Sequence, residues 1–314
     1  MVIWAADVGG TNIRVGLVEQ NRIAAIELIP AHASAGLGSA IQRIIPAWRR
    51  LQERSHGRPK PPEGIALAIP AVIGPNSGRI YKTPGSKYDD AHGLDLAGIF
   101  SGLSGRVYWC NDAHAALAGE HLYGAATSVG NVVLVTLGTG IGSAVMLGGR
   151  TLAGSHGLAG NLSGHSTLNP SGPRCPCGNV GCAELYASTW RLNHLAKCIP
   201  GFEKSSLAGE KAINYEMVFR HARRGDRVAR ELADAAKGVW SAVVSNLVHQ
   251  YDPDLVLIGG GISARHRELL PAFRRYVRQH CWARWRVPVR KAALGANAGL
   301  IGVAALAVKK GIIH

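Results

Sequence analysis

The sequence predicts an α/β protein of two similar lobes with a cleft between them. A short apolar run, a Gly-rich turn and a second apolar run occur twice, about 130 residues apart, from Val2 to Leu17 and from Asn131 to Leu147. Each copy is followed by further strand-like and helical stretches, the pattern of a layered α/β architecture. The length of 314 residues suits about two domains of roughly 150 residues each. Hydrophobic residues at 47% and charged residues at 18% supply a sizeable core and exclude a disordered chain. The 40 glycines have no three-residue period, which excludes collagen.

The elements follow in order. Val2 to Ala6, the turn Asp7-Val8-Gly9-Gly10-Thr11-Asn12 and Ile13 to Leu17 read as a hairpin. A third strand covers Arg22 to Pro30. Gly36 to Arg54 carries Leu37, Ile41, Ile44, Ile45, Trp48 and Leu51 at helical spacing. Glu53 to Glu63 is a charged, Pro-rich loop. Gly64 to Ile69 and Arg106 to Cys110 are buried strands, the second ending at Asn111-Asp112 before a helix over Ala113 to Tyr123. The pattern then restarts: strand Asn131 to Leu137, turn Gly138-Thr139-Gly140-Ile141-Gly142, strand Ser143 to Leu147. Helices are expected over Arg224 to Gln250, Ala264 to Gln279 and Asn297 to Val308. Leu255 to Ile258 is a strand ending in Gly259-Gly260-Gly261.

Composition narrows the function classes. Thirty-five Lys and Arg against 20 Asp and Glu give +15, which favours anionic ligands. The basic residues are dispersed, as in Arg49-Arg50, Arg223-Arg224, Arg274-Arg275 and Arg284 to Arg290, and no single helix presents a basic recognition face, so no nucleic-acid partner is expected. Gly299 to Val308 is too short to cross a membrane, and the N-terminus shows no targeting pattern. The expectation is a cytoplasmic protein with no membrane partner. Of six cysteines, three crowd into eight residues, which reads as metal binding rather than a disulfide framework.

The motifs carry chemistry. Glycines let backbone amides approach a phosphate, so each Gly turn is a phosphate cradle or an ordinary hairpin turn. In the first, Thr11 and Asn12 add donors and Asp7 can hold hydrated Mg²⁺. The second, Gly138-Thr139-Gly140, lacks both the dinucleotide fingerprint and the P-loop ending. Asp112 either caps the following helix or takes a proton from a substrate hydroxyl. His165 with Cys175, Cys177 and Cys182 is a complete tetrahedral Zn²⁺ set with no open position, so the metal is structural. Glu184, two residues on, caps the next helix or binds a substrate hydroxyl. Gly259, Gly260 and Gly261 either lie flat against adenine or form a strand-to-helix turn.

Taken in this order, the motifs resemble those of the ROK family (repressor, open reading frame, kinase), in particular its sugar kinases. The likeness runs from Val2 to about Val308. Cys175-x-Cys177-Gly178-x-x-Gly181-Cys182-x-Glu184 matches at every fixed position. Asp7-x-Gly9-Gly10-Thr11-x-x-Arg14 and Leu137-Gly138-Thr139-Gly140-x-Gly142 match the phosphate loops, and Ile258-Gly259-Gly260-Gly261 the adenosine side. The resemblance implies an actin-like ATPase fold of two ribonuclease-H-like lobes: residues 1–112 with 297–314 as the small lobe, and 113–296 as the large lobe carrying the zinc loop. It implies phosphoryl transfer from ATP to a hexose hydroxyl with Mg²⁺, in a homodimer or homotetramer. Asn111 then binds a sugar hydroxyl, Asp112 is the base, His165 both ligates zinc and contacts the sugar, and Glu184 is a sugar-binding carboxylate. Family regulators carry an extra N-terminal helix-turn-helix, which a first strand at Val2 leaves no room for. One departure concerns specificity. The family's Glu-x-Gly-His falls here on Asn161-Leu162-Ser163-Gly164-His165. The Glu position is Leu162 without a gap, or Asn161 with one residue inserted before Gly164, the alignment that the normal His165-to-Cys175 spacing favours, and either way the carboxylate is missing. Loss of that charge implies a substrate other than glucose, such as an epimer, a deoxy sugar or an amino sugar. The segment Pro84 to Tyr88, at the family's sugar loop, is atypical as well.

Overall fold

The computed structural model describes residues 2–56, 61–85, 87–266, 268–282 and 286–313. Part of the expected loop near residue 57, Ser86 and part of the basic run at 284–290 lie outside them. The chain divides into two compact units. The first comprises Met1–Ser128, Thr151–Asn161 and Ala296–His314, and the second Val129–Arg150 and Leu162–Gly295.

The first unit is built on strands β1 (Val2–Val8), β2 (Asn12–Glu19), β3 (Arg22–Pro30), β4 (Gly64–Ile69) and β5 (Val107–Asn111), in the order β3-β2-β1-β4-β5. β1 to β3 are antiparallel, and β1, β4 and β5 run parallel. Helix α1 (Leu37–His56) buries its apolar stripe of Leu37, Ile41, Ile44, Trp48 and Leu51 on one face of the sheet. Trp48 stacks on Trp4 at 5.4 Å and donates its indole N–H to the Ala5 carbonyl at 2.9 Å, so its polar end is satisfied where it is buried. The C-terminal helix (Ala298–Lys309) buries Leu300, Val303, Ala304 and Ala307 with Ile3, Ala5, Ala66 and Ala68.

The second unit repeats the plan with β6 (Val132–Leu137), β7 (Ile141–Leu147), β8 (Arg150–Thr151), β9 (Leu255–Gly259) and β10 (Val289–Lys291), ordered β8-β7-β6-β9-β10. Again the third, second, first, fourth and fifth strands lie side by side. Each unit therefore starts with a hairpin whose Gly turn sits beside the C-terminal end of a parallel strand.

Four boundaries differ from expectation. The division does not fall at residue 112: helix α2 (Asp112–Tyr123) stays with the first unit because it packs closely on the C-terminal helix. A Cβ on Gly302 would come 1.8 Å from the Ala115 carbonyl, so only glycine permits this crossing. Thr151–Asn161 also returns to the first unit, where Gly157 lies against the Ile73 carbonyl. The helix expected over Ala264 to Gln279 is two, Gly260–Arg265 and Leu269–His280. The helix expected from Arg224 starts at Arg227, because the Asp226 carboxylate caps it by accepting from the Ala229 amide at 2.9 Å.

Candidate active site

In the first unit the β1–β2 turn sets the geometry. Gly9 N–H donates to the Asn12 carbonyl at 3.1 Å, closing the turn, and Ala31 N–H bonds the Thr11 carbonyl at 2.9 Å. Asp7 pairs across the hairpin with Arg14. Burial first, and then the charge of Asp112, push the Asp7 carboxyl up to about 7, while Arg14 pulls the other way. Asp112 is also raised, by burial, partly opposed by the Ala113 amide, which donates to its Oδ1 at 2.8 Å. Two carboxylates in each other's field are a natural seat for a cation and its phosphates.

Asn111, and not Asp112, caps α2. Its Oδ1 accepts from the amides of Ala113 and His114 at 3.0 and 3.1 Å, and its Nδ2 donates to the Ala71 carbonyl at 3.1 Å. One amide hydrogen is left for a ligand. Asp112, in the first turn of the helix, shares only the Ala113 amide with Asn111, so most of its carboxylate is left for other partners. Asn161 is 7% exposed; its Nδ2 donates to the Gly157 carbonyl at 2.7 Å, and its Oδ1 has no partner among the described residues.

In the second unit Glu184 begins a short helix, Glu184–Ala187, and does not cap it. Its Oε2 accepts from the Ile141 amide at 2.9 Å and its Oε1 from the Trp190 indole at 3.0 Å. A Cβ on Gly140 would come 2.4 Å from Oε2, so glycine is what lets the carboxylate reach the turn. Thr189 Oγ1 donates to the Gly138 carbonyl at 2.8 Å, and Trp190 N–H to the Thr139 carbonyl at 3.4 Å. The segment after the last cysteine thus braces the second Gly turn. Gly259 ends β9 and Gly260 starts a helix with φ +86°, pressed against Leu137, whose carbonyl a Cβ would meet at 2.2 Å. Gly261 meets nothing within 4 Å.

The metal ligands expected from the sequence come together in this unit. One ligand atom each from His165, Cys175, Cys177 and Cys182 lies within 4.8 Å of the others. Cys177 and Cys182 Sγ are 3.7 Å apart, as are Cys175 Sγ and His165 Nδ1. A tetrahedral ion with metal–sulfur bonds near 2.3 Å has ligand edges of about 3.7 Å, so the set fits a four-coordinate cation. The loop holds this shape with its own bonds: Cys175 N–H to the Asn179 carbonyl at 2.8 Å, and Asn179 Nδ2 to the His165 carbonyl at 2.9 Å. Burial and the neighbouring thiols raise Cys182 well above the ordinary thiol range, a tension that a bound dication removes by holding thiolates.

A family model described as the ROK family matches residues 3–310. The chain belongs to the ROK family. It is 32% identical over 311 residues to a glucokinase of Thermotoga maritima, covering 96% of this chain and 95% of that protein. It is 28% identical to the xylose repressor of Bacillus subtilis, over 78% of this chain and 61% of the repressor. The ROK hexokinase from Thermus thermophilus matches with a TM-score of 0.76 at 32% identity, covering 99% of this chain and 100% of that one. A ROK family glucokinase from Streptomyces griseus, solved in complex with glucose and AMPPNP, matches with a TM-score of 0.80 at 26% identity over 98% and 100%. The fold is the actin-like ATPase α/β fold of these ROK kinases.

Sequence reasoning missed the contacts of Thr189 and Trp190 with the second Gly turn. Both contact a turn about fifty residues earlier, and no local pattern announces such a contact. Gly140, conspicuous in its turn, was the one available sign that a side chain approaches there.

Proposed function

We propose that this chain is an ATP-dependent sugar kinase in which Asp112 is the general base. The observation that carries the reading is Asp112 itself: a half-buried carboxylate with one backbone amide on its Oδ1 and its other oxygen not needed by the cap, held in the same unit as Asp7 and the first Gly turn. The glucokinase relatives support the reaction class.

A sugar hydroxyl is a poor nucleophile at neutral pH. Asp112 accepts its proton as the oxygen bonds to phosphorus, and the bond from phosphorus to the leaving ADP oxygen breaks. A base placed in this way contributes about 10²–10⁴ in rate. Amides of the turns Gly9-Gly10-Thr11-Asn12 and Gly138-Thr139-Gly140, with Arg14, offset the phosphate charge, and Gly259 to Gly261 border the adenosine. Asp7 would hold Mg²⁺, which when bound would supply charge neutralisation and orientation of the phosphates. His165, Cys175, Cys177 and Cys182 would hold Zn²⁺, which would cross-link the loop that carries His165 and Glu184. Glu184 has one lone pair on each oxygen left for a sugar hydroxyl, and Asn111 has one N–H. Asn161 stands where the family places a Glu and replaces a charged acceptor with a neutral one, which favours an epimer, deoxy sugar or amino sugar over glucose. We also infer a cytoplasmic homodimer or homotetramer; no described helix is long and apolar enough to cross a membrane.

The test is ADP release from Mg-ATP across hexoses, deoxy hexoses and amino sugars, with Asp112→Asn alongside. Sugar-dependent turnover that the variant loses supports the reading. The xylose repressor match supports a second reading, a sugar-responsive regulator without catalysis. Absence of turnover with any sugar, together with a tight, salt-sensitive complex with duplex DNA, would favour it.

A further inference from the structure

We propose that Lys87 binds the terminal phosphate of the phosphoryl donor at the first Gly turn. This deepens the kinase reading above and rests on it for the word donor. Lys87 lies in the atypical Pro84–Tyr88 segment, which the sequence connects to no phosphate chemistry. The fold ties that segment to the turn. Tyr88 is fully buried with φ 57°, and its hydroxyl donates to the Gly9 carbonyl at 2.8 Å. Its amide donates to the Ala33 carbonyl at 2.9 Å, and the Lys87 amide to the Pro84 carbonyl at 3.1 Å. The backbone at Lys87 is therefore fixed, and its side chain crosses Gly10. Nζ lies 3.4 Å from where a Cβ on Gly10 would sit, with Cδ and Cε at 3.9 Å.

Among the described residues, no carboxylate lies within ion-pairing distance of this ammonium. A lysine held over a Gly-rich turn without a protein counter-ion joins the two components of phosphate recognition, backbone amides and a point charge. The surroundings make a cation useful. Asp7 and Asp112 share the unit, and their negative charge repels an incoming polyphosphate. Three ammonium hydrogens beside a Gly-rich turn match the oxygens of a terminal phosphate, the most highly charged acceptor a nucleotide offers. The ligand class is thus the end of a polyphosphate chain, carried by a nucleotide or inorganic.

Lys87→Met keeps the stem and removes the charge, and Lys87→Arg restores the charge. Calorimetry would measure binding of Mg-AMPPNP, AMP and tripolyphosphate, with thermal melting as the folding control and sugar-dependent ADP release as the kinetic readout. The Met variant should bind AMPPNP about 10–100-fold more weakly, bind AMP within about two-fold of the wild type and melt unchanged, with the Arg variant recovering most of the loss. A parallel loss of tripolyphosphate binding supports both sources of the phosphate; loss confined to AMPPNP supports the nucleotide alone. AMPPNP binding unchanged in the Met variant overturns the proposal, and so does an equal loss for AMP, since Lys87 would then only shape the turn. Wild-type protein that binds AMPPNP through Lys87 but phosphorylates no sugar keeps the phosphate site and removes the kinase reading. Normal kinetics in the Met variant do the reverse, and a wild type that binds no triphosphate removes both.

Discussion

On the proposal that Asp112 is the general base, its carboxylate accepts a proton from a sugar hydroxyl only while it is ionised, so its environment sets where activity is lost on acidification. Burial raises its pKa above the ordinary value of 3.8. kcat should therefore fall as pH drops, beginning at a higher pH than an exposed aspartate would require. Asp112→Asn should lower kcat by about 10²–10⁴-fold, leave sugar KM within a few-fold and remove that acidic limb from the pH profile. A variant that keeps the limb would assign it to another group. Asn111 shows why such roles are hard to read from residue type alone. Its neighbour Asp112 is also a good cap, and either side chain could have taken the two free amides of α2. In the fold Asn111 accepts from both, while Asp112 shares only the Ala113 amide, a division of the cap that residue type does not announce.

At the scale of elements, the hairpins and the buried strands were legible because alternation of apolar runs with Gly turns is a local signal. Helix ends were less so. Asp226 starts its helix three residues later than periodicity suggests, and its environment is worth a measurement. Burial alone would raise it, but the amide of Ala229 and the hydroxyls and amide of Ser205 and Ser206 outweigh burial and hold it down at about 2. Asp226→Ala should cost about 1–2 kcal/mol in denaturant unfolding at neutral pH. Because the folded pKa is below the unfolded one, that contribution is complete above about 4 and is lost as pH falls toward 2, so the two proteins should converge in acid. The brace on the second Gly turn was not legible, since Thr189 and Trp190 contact Gly138 and Thr139 across a long separation in sequence. Thr189→Val is isosteric and removes one hydroxyl donor. It should raise KM for ATP about 3–10-fold with sugar KM unmoved, and Thr189→Ser should restore it. Equal changes in both KM values would indicate general loosening instead.

The whole chain repeats one strand order twice, and the sequence could reveal this because both copies open with the same strand–turn–strand pattern. It could not reveal where the units part. That depends on the glycine-mediated crossing of α2 and the C-terminal helix, two segments nearly 180 residues apart whose complementarity exists only after folding. The metal loop joins the scales. Its four candidate ligands were plain in the sequence, yet the segment that follows them reaches as far as the second Gly turn. Cys182 is two residues from Glu184, and Glu184 with Thr189 and Trp190 holds the second Gly turn. Removing the metal should therefore weaken nucleotide binding as well as stability. Closing a short loop with a cross-link contributes about 3 kcal/mol, which for a chain of 314 residues corresponds to a fall in Tm of about 4–5 °C. The decisive comparison is calorimetry of AMPPNP binding before and after chelation, at a temperature where both forms stay folded by circular dichroism. Weaker AMPPNP binding that returns on adding Zn²⁺ is the expected result, and Thr189→Val should reproduce part of it with the metal still bound. If metal-free protein binds AMPPNP as tightly as loaded protein, the loop and the turn are independent and the brace needs no metal to hold it.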